Sequence, residues 1–167
     1  MAKIKNAELV LPNLVQKFLD EENWGEEIEI NNKEKSSILM SSLMLADNEF
    51  QLIIETNEQE YRLLEIYIYS PGILSEKRIN EALKIINEIN NRYKVGRLSI
   101  IEMSAGPKDE VNYRIQFKYV IDMTGIEDSS IVLKNAIYHG SKLFEIWGSE
   151  LYETTETNKS AKEIFKN

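Results

Sequence analysis

The sequence predicts an α+β domain: an antiparallel β-sheet with element order α-β-β-β-β-α-β-β-α and helices mainly on one face. Three observations carry this. Apolar residues recur at intervals of three and four in three separated stretches, and they alternate with polar residues in six others. The connections between the first strand-like runs are only a few residues long, which implies antiparallel neighbours.

The first helix is read from Leu11, Leu14, Val15, Phe18 and Leu19, with Pro12 tolerable in a first turn and the acidic run Asp20-Glu21-Glu22 at the end. After Trp24-Gly25, residues 27–30 alternate Glu and Ile as a short strand. Further runs follow at 37–46, 49–56 and 61–70, separated by Asp47-Asn48 and by residues 57–60. Pro71-Gly72 is expected to break the sheet. Ser75 can then cap a second helix, whose apolar face is read as Ile79, Ala82, Leu83, Ile86 and Tyr93. Beyond Gly96 come a strand at 97–103, a turn at Ser104-Ala105-Gly106-Pro107, and a strand at 111–121 with one buried face. The third helix starts near Asp128-Ser129-Ser130 and follows Leu133, Ile137, Gly140, Phe144, Trp147 and Leu151 past Trp147. We read residues 1–152 as one domain without internal repeats. Residues 153–167 form a polar C-terminal tail, either frayed or folded into a short helix tied down by Ile164 and Phe165.

A chain of 167 residues can bury roughly 70% of its unfolded surface in one core. It has no cysteine, which removes disulfides, thiolate nucleophiles and Cys-ligated metals. No apolar run of signal-peptide length follows Lys3 and Lys5, and no stretch approaches the roughly 20 apolar residues of a membrane span. These features predict a soluble, cytoplasmic protein with no membrane partner. Twenty Lys and Arg against 28 Asp and Glu give a formal charge of −8, which opposes nucleic-acid binding at long range. Arg92, Lys94 and Arg97 form a local basic group, read as cations at a helix C-terminus, where they complement the macrodipole and open carbonyls.

Motifs for chemistry are absent. The chain has no G-x-G-x-x-G, P-loop, G-x-S-x-G or calcium-loop pattern. His139, the only histidine, has Ser141 and Asp128 near it in sequence, but three residues of one segment do not make a triad without an oxyanion hole. The carboxylates Glu26, Glu27, Glu29, Glu145, Glu150 and Glu153 are read as solvated surface. Trp24 and Trp147 lie beside apolar spacing and are read as packing residues. The prediction is therefore no enzyme: no catalytic residue, no metal and no cofactor.

One face of the sheet can be derived from register. With Asp47-Asn48 as a two-residue turn, Leu45 would pair with Phe50, Leu43 with Leu52 and Ser41 with Ile54. An odd-length connection would then align Leu52 with Ile66, Ile54 with Leu64 and Phe50 with Ile68. That side is the core. The other side carries Met40, Met44, Ile53, Leu63 and Tyr67 among Ser42, Gln51, Glu55 and Glu65. The mixture is too apolar for a plain solvated face and too polar for a core, and methionine with tyrosine suits a surface that meets another chain. The competing expectation is that helix 3, the tail or the second β-ribbon folds over it.

Phe18-Leu19-Asp20 leading to Trp24-Gly25, residues 78–83 leading through Ile89-Asn90 to Gly96-Arg97-Leu98, and Val111-Asn112-Tyr113-Arg114 resemble the YbjN-domain family, over roughly residues 9–151. Its members are named as bacterial sensory transduction regulators, and the family looks like the type III secretion chaperone fold. The resemblance implies a small, acidic, chaperone-like homodimer that holds a protein partner, a state that the apolar strand surface also favours. Three functions compete on the sequence alone: a protein-interaction module working through the sheet face, which leads; a small-ligand sensory domain with a pocket between sheet and helices; and an enzyme using scattered carboxylates.

Overall fold

A computed structural model describes residues 9–103, 111–126 and 129–166. The turn expected at Ser104-Ala105-Gly106-Pro107 and the cap expected at Asp128 lie outside the described residues. The elements are α1 (Val10–Glu21), β1 (Glu29–Asn31), β2 (Ser36–Leu45), β3 (Asn48–Asn57), β4 (Leu63–Leu74), α2 (Ile79–Arg92), β5 (Arg97–Met103), β6 (Asn112–Asp122), α3 (Ser130–Glu156) and α4 (Ala161–Ile164). A 3-10 turn, Glu76–Arg78, leads into α2. The six strands form one antiparallel sheet in the order β1-β2-β3-β4-β6-β5.

Alternation along the strands sorts residues between two faces. Leu39, Leu52, Ile54, Leu64, Ile66, Ile68, Ile115 and Phe117 point to one side and are all buried. There they meet Leu11, Leu14, Val15, Phe18 and Leu19 of α1, Ala82, Ile85, Ile86 and Ile89 of α2, and Leu133, Ile137, Leu143, Phe144 and Leu151 of α3 in one continuous core. Leu83 is not part of the helical stripe, as the spacing had suggested. It is 41% exposed, and Ile85 and Ile89 take the core side instead. On the core side, the buried Ser37 and Thr56 satisfy one another through their hydroxyls at 2.7 Å, and Ser41 donates to Glu26 at 2.6 Å.

The β2–β3 hairpin turns through Ala46 and Asp47, both with positive φ (47° and 64°), one residue earlier than the sequence suggested. The register is Leu45 with Asn48, Leu43 with Phe50, Ser41 with Leu52 and Leu39 with Ile54. Likewise Leu52 aligns with Ile68 and Ile54 with Ile66. Both registers differ from the expected ones by two residues. The observed pairing joins Leu39 to Ile54 and hydroxyl to hydroxyl at Ser37 and Thr56, which offsets the cost of left-handed backbone at Ala46. An even shift leaves every side chain on its predicted face.

Pro71-Gly72 does not end the sheet. β4 runs to Leu74 across an irregularity between Tyr69 and Ile73 in its pairing with β6, where a bulge tolerates a proline that cannot donate. The Ser70 carbonyl within it accepts Arg114 Nε and Nη2 at 2.8 and 2.5 Å. The C-terminal segment is folded. α3 continues for 27 residues, and α4 starts in a capping box formed by Ser160 and Glu163 and buries Ile164. Arg78 clasps it by donating to Thr154 O and Lys159 O at 3.2 and 2.7 Å.

Candidate protein-binding face

The second face of the sheet is built from the alternate residues of the same strands. One cross-strand row runs Met40, Ile53, Tyr67, Lys118, Arg97 from β2 to β5. A second runs Ser42, Gln51, Tyr69, Gln116, Ser99, and a third Ile38, Glu55, Glu65, Val120. Met40, Ile53 and Tyr67 therefore lie side by side, on strands about 4.8 Å apart. Met44 and Leu63 share the face but stand four residues away along their strands, at opposite ends of it. Among the described residues no helix covers this face, and the β5–β6 ribbon extends the sheet edgeways instead of folding over it. Met40 is 56% exposed and Met44 67%, with Val120 at 41%; Ile53, Leu63 and Tyr67 are half-buried.

The polar residues of the face hold each other. Lys118 pairs with Glu65 at 3.1 Å and lies over the Tyr67 ring at 5.0 Å, and the Tyr67 hydroxyl donates to Glu65 at 3.0 Å. Contact with Tyr67 and Glu65 holds the Lys118 ammonium above its usual range, while partial burial pushes the Tyr67 hydroxyl upward. Arg114 lies over the Tyr69 ring at 5.7 Å and donates to Gln51 at 3.2 Å. Tyr67 and Tyr69 stack with centroids 6.4 Å apart. Glu55 sits directly opposite Glu65, and burial, with that neighbouring carboxylate, raises its carboxyl above the ordinary range. Beside them Glu29, Ile38, Glu55 and Glu65 line an open cleft of about 430 Å³.

Sequence reasoning missed the part of the face supplied by β6. Lys118, Arg114 and Gln116 were legible only as the polar partners of an alternating strand and Val120 as an apolar exception among them, and the pairing that sets β6 beside β4 is a long-range one. The residues weighed for other roles lie elsewhere. The His139 carbonyl accepts the Tyr93 hydroxyl at 2.8 Å. Trp24 packs edge-on to Phe18 at 5.4 Å. Arg92 lies 5.5 Å from the centroids of both Trp147 and Phe165 and pairs with Glu88 at 2.6 Å. Lys94 and Arg97 donate to the last carbonyls of α2, at Asn91 and Asn90. Among the described residues no group of three or more acidic or histidine side chains is placed to hold a metal ion, and no helix is long and apolar enough to cross a membrane.

The architecture matches that of a solved structure, which shows the fold. The crystal structure of YbjN from E. coli, described as a candidate transcription regulator, superposes with a TM-score of 0.53, covering 83% of this chain and 91% of that one at 9% identity. The fold is YbjN-like. No protein-family model matches the chain, and no curated protein matches its sequence.

Proposed function

We propose that this chain is a non-catalytic protein-interaction module of the YbjN-domain family, chaperone-like or regulatory, that takes a protein partner on the open face of its sheet. The observation that carries the reading is the row of Met40, Ile53 and Tyr67, uncovered among the described residues, with exposed Val120 in the next row and exposed Met44 farther along β2. A folded domain gains little from placing such side chains in water, whereas a second chain laid across them buries apolar area and keeps the polar rows as its rim. The likeness to a candidate regulator supports the regulatory version. A protein partner fits better than a nucleic acid. The face's cations are engaged, Lys118 by Glu65 and Arg114 by the Ser70 carbonyl, and the whole chain is acidic.

In this reading the cytoplasmic protein self-associates through the same face. Light scattering at micromolar concentration is expected to give twice the 19.4 kDa of one chain. Met40→Glu with Met44→Glu is expected to give a single chain while Tm stays within a few degrees, because both side chains are already largely in water. A monomeric wild type, or a variant that remains dimeric, contradicts self-association through this face.

A further inference from the structure

A second cavity, of about 480 Å³, lies at the other end of the molecule, between the β2–β3 turn, the Pro71-Gly72 bulge and the C-terminal half of α3. Leu45, Phe50, Pro71, Phe144 and Leu151 give it an apolar lining. The Phe50 and Phe144 rings, 4.8 Å apart, are buried at its base. Its size falls within the roughly 300–1,000 Å³ of ordinary small-molecule sites.

The two glycines flanking Phe144 in α3 separate a packing need from something else. Gly140 is required by the fold, since a Cβ there would stand 2.6 Å from Ile68 Cδ1 and 2.7 Å from the Phe117 ring. Gly148 has no such reason. A Cβ built there meets nothing within 4 Å, yet glycine weakens the interior of a 27-residue helix. It stands on the wall of this cavity, so the one place where α3 gives up a side chain without a packing cause is also where a side chain would enter the cleft. On the opposite wall Gly72 brings β4 close to α3, its Cβ position being 2.9 Å from Thr155 Oγ1.

We infer that this cleft binds a small, uncharged, largely apolar molecule, and that Gly148 keeps it open. The charge class follows from the lining, which includes no lysine or arginine and carries Glu145 and Glu156. Lys142 offsets Glu145 at 2.9 Å, which leaves Glu156 and the chain's net charge of −8 to repel anions. The binding chemistry is independent of the open sheet face, and the two readings stand or fall separately.

Fluorescence titration with the neutral probe N-phenyl-1-naphthylamine tests it. Saturable binding is expected for the wild type and for Met40→Glu with Met44→Glu. Gly148→Leu should bind at least tenfold more weakly while its Tm is unchanged or higher. The anionic probe 8-anilinonaphthalene-1-sulfonate should bind more weakly than the neutral one. No binding by the wild type overturns the inference, and so does undiminished binding by Gly148→Leu. A fall in the Tm of Gly148→Leu would show that the space is not there. Loss of probe binding in the double methionine variant would place the probe on the sheet face, and equal or tighter binding of the anionic probe would refute the charge class.

Discussion

Gly140 and Gly148 look alike in the sequence, and only what surrounds them tells them apart. Gly140→Ala must push a methyl into Ile68 and the Phe117 ring, overpacking that typically costs about 1–3 kcal/mol. At roughly 2–4 °C per kcal/mol for a chain of this size, a clear drop in Tm is expected. Gly148→Ala meets open space and should raise Tm through helix propensity, worth about 0.5–1 kcal/mol. Calorimetry on the two variants checks both, and equal effects would contradict the packing described. Glu55 was legible as a polar residue of the outer face, but its place opposite Glu65 depends on register. Its carboxyl is raised by burial and by that neighbour, so the folded state holds the proton more tightly than the unfolded one. Stability is therefore lost as pH rises from the ordinary carboxyl range through the raised value. Glutamine escapes that loss. Glu55→Gln should melt higher than the wild type at pH 7, and the gap should close below the ordinary carboxyl range. A gap independent of pH would refute the cause.

At the scale of elements, period carried nearly all of the secondary structure, because amphipathic helices and half-buried strands must display it. β5 was located to the residue, and the helical spacing of α3 was visible through Leu151. What the pattern could not fix was phase between strands. Both hairpin registers were off by two, an error to which a period of two is blind, so Met40, Ile53 and Tyr67 still landed on the predicted side. Turn chemistry misled at Asp47-Asn48, where the polar pair is less decisive than the packing of Leu39 on Ile54. It misled again at Pro71-Gly72, where a bulge and Arg114 absorb the break. The fate of the last residues was open in the sequence, because Ile164 and Phe165 are too few to show a period. Their anchor is Arg78, which reaches back to Thr154 and Lys159. Arg78→Ala should speed amide hydrogen exchange across residues 159–165 without changing exchange in β3 and β4. Unchanged exchange in that segment would show that buried Ile164 and Glu81, which accepts the Ala161 N–H at 2.8 Å, hold it without Arg78.

For the whole molecule, the fold class followed from element order, but the join between β4 and β6 did not, because it links residues about fifty apart. That join turns a four-stranded meander into a six-stranded sheet and widens its open face by half. It also adds Lys118 and Arg114, which lie over the Tyr67 and Tyr69 rings in the middle of the surface. Among the described residues the helices pack on one side of the sheet alone, and in the proposed function a protein partner covers the other. Affinity capture from native lysate, with wild type and Met40→Glu with Met44→Glu as parallel baits of equal Tm, tests whether that cover is protein. A defined set of proteins should be retained by the wild type and lost by the variant; identical sets on the two baits would rule out a protein partner on this face.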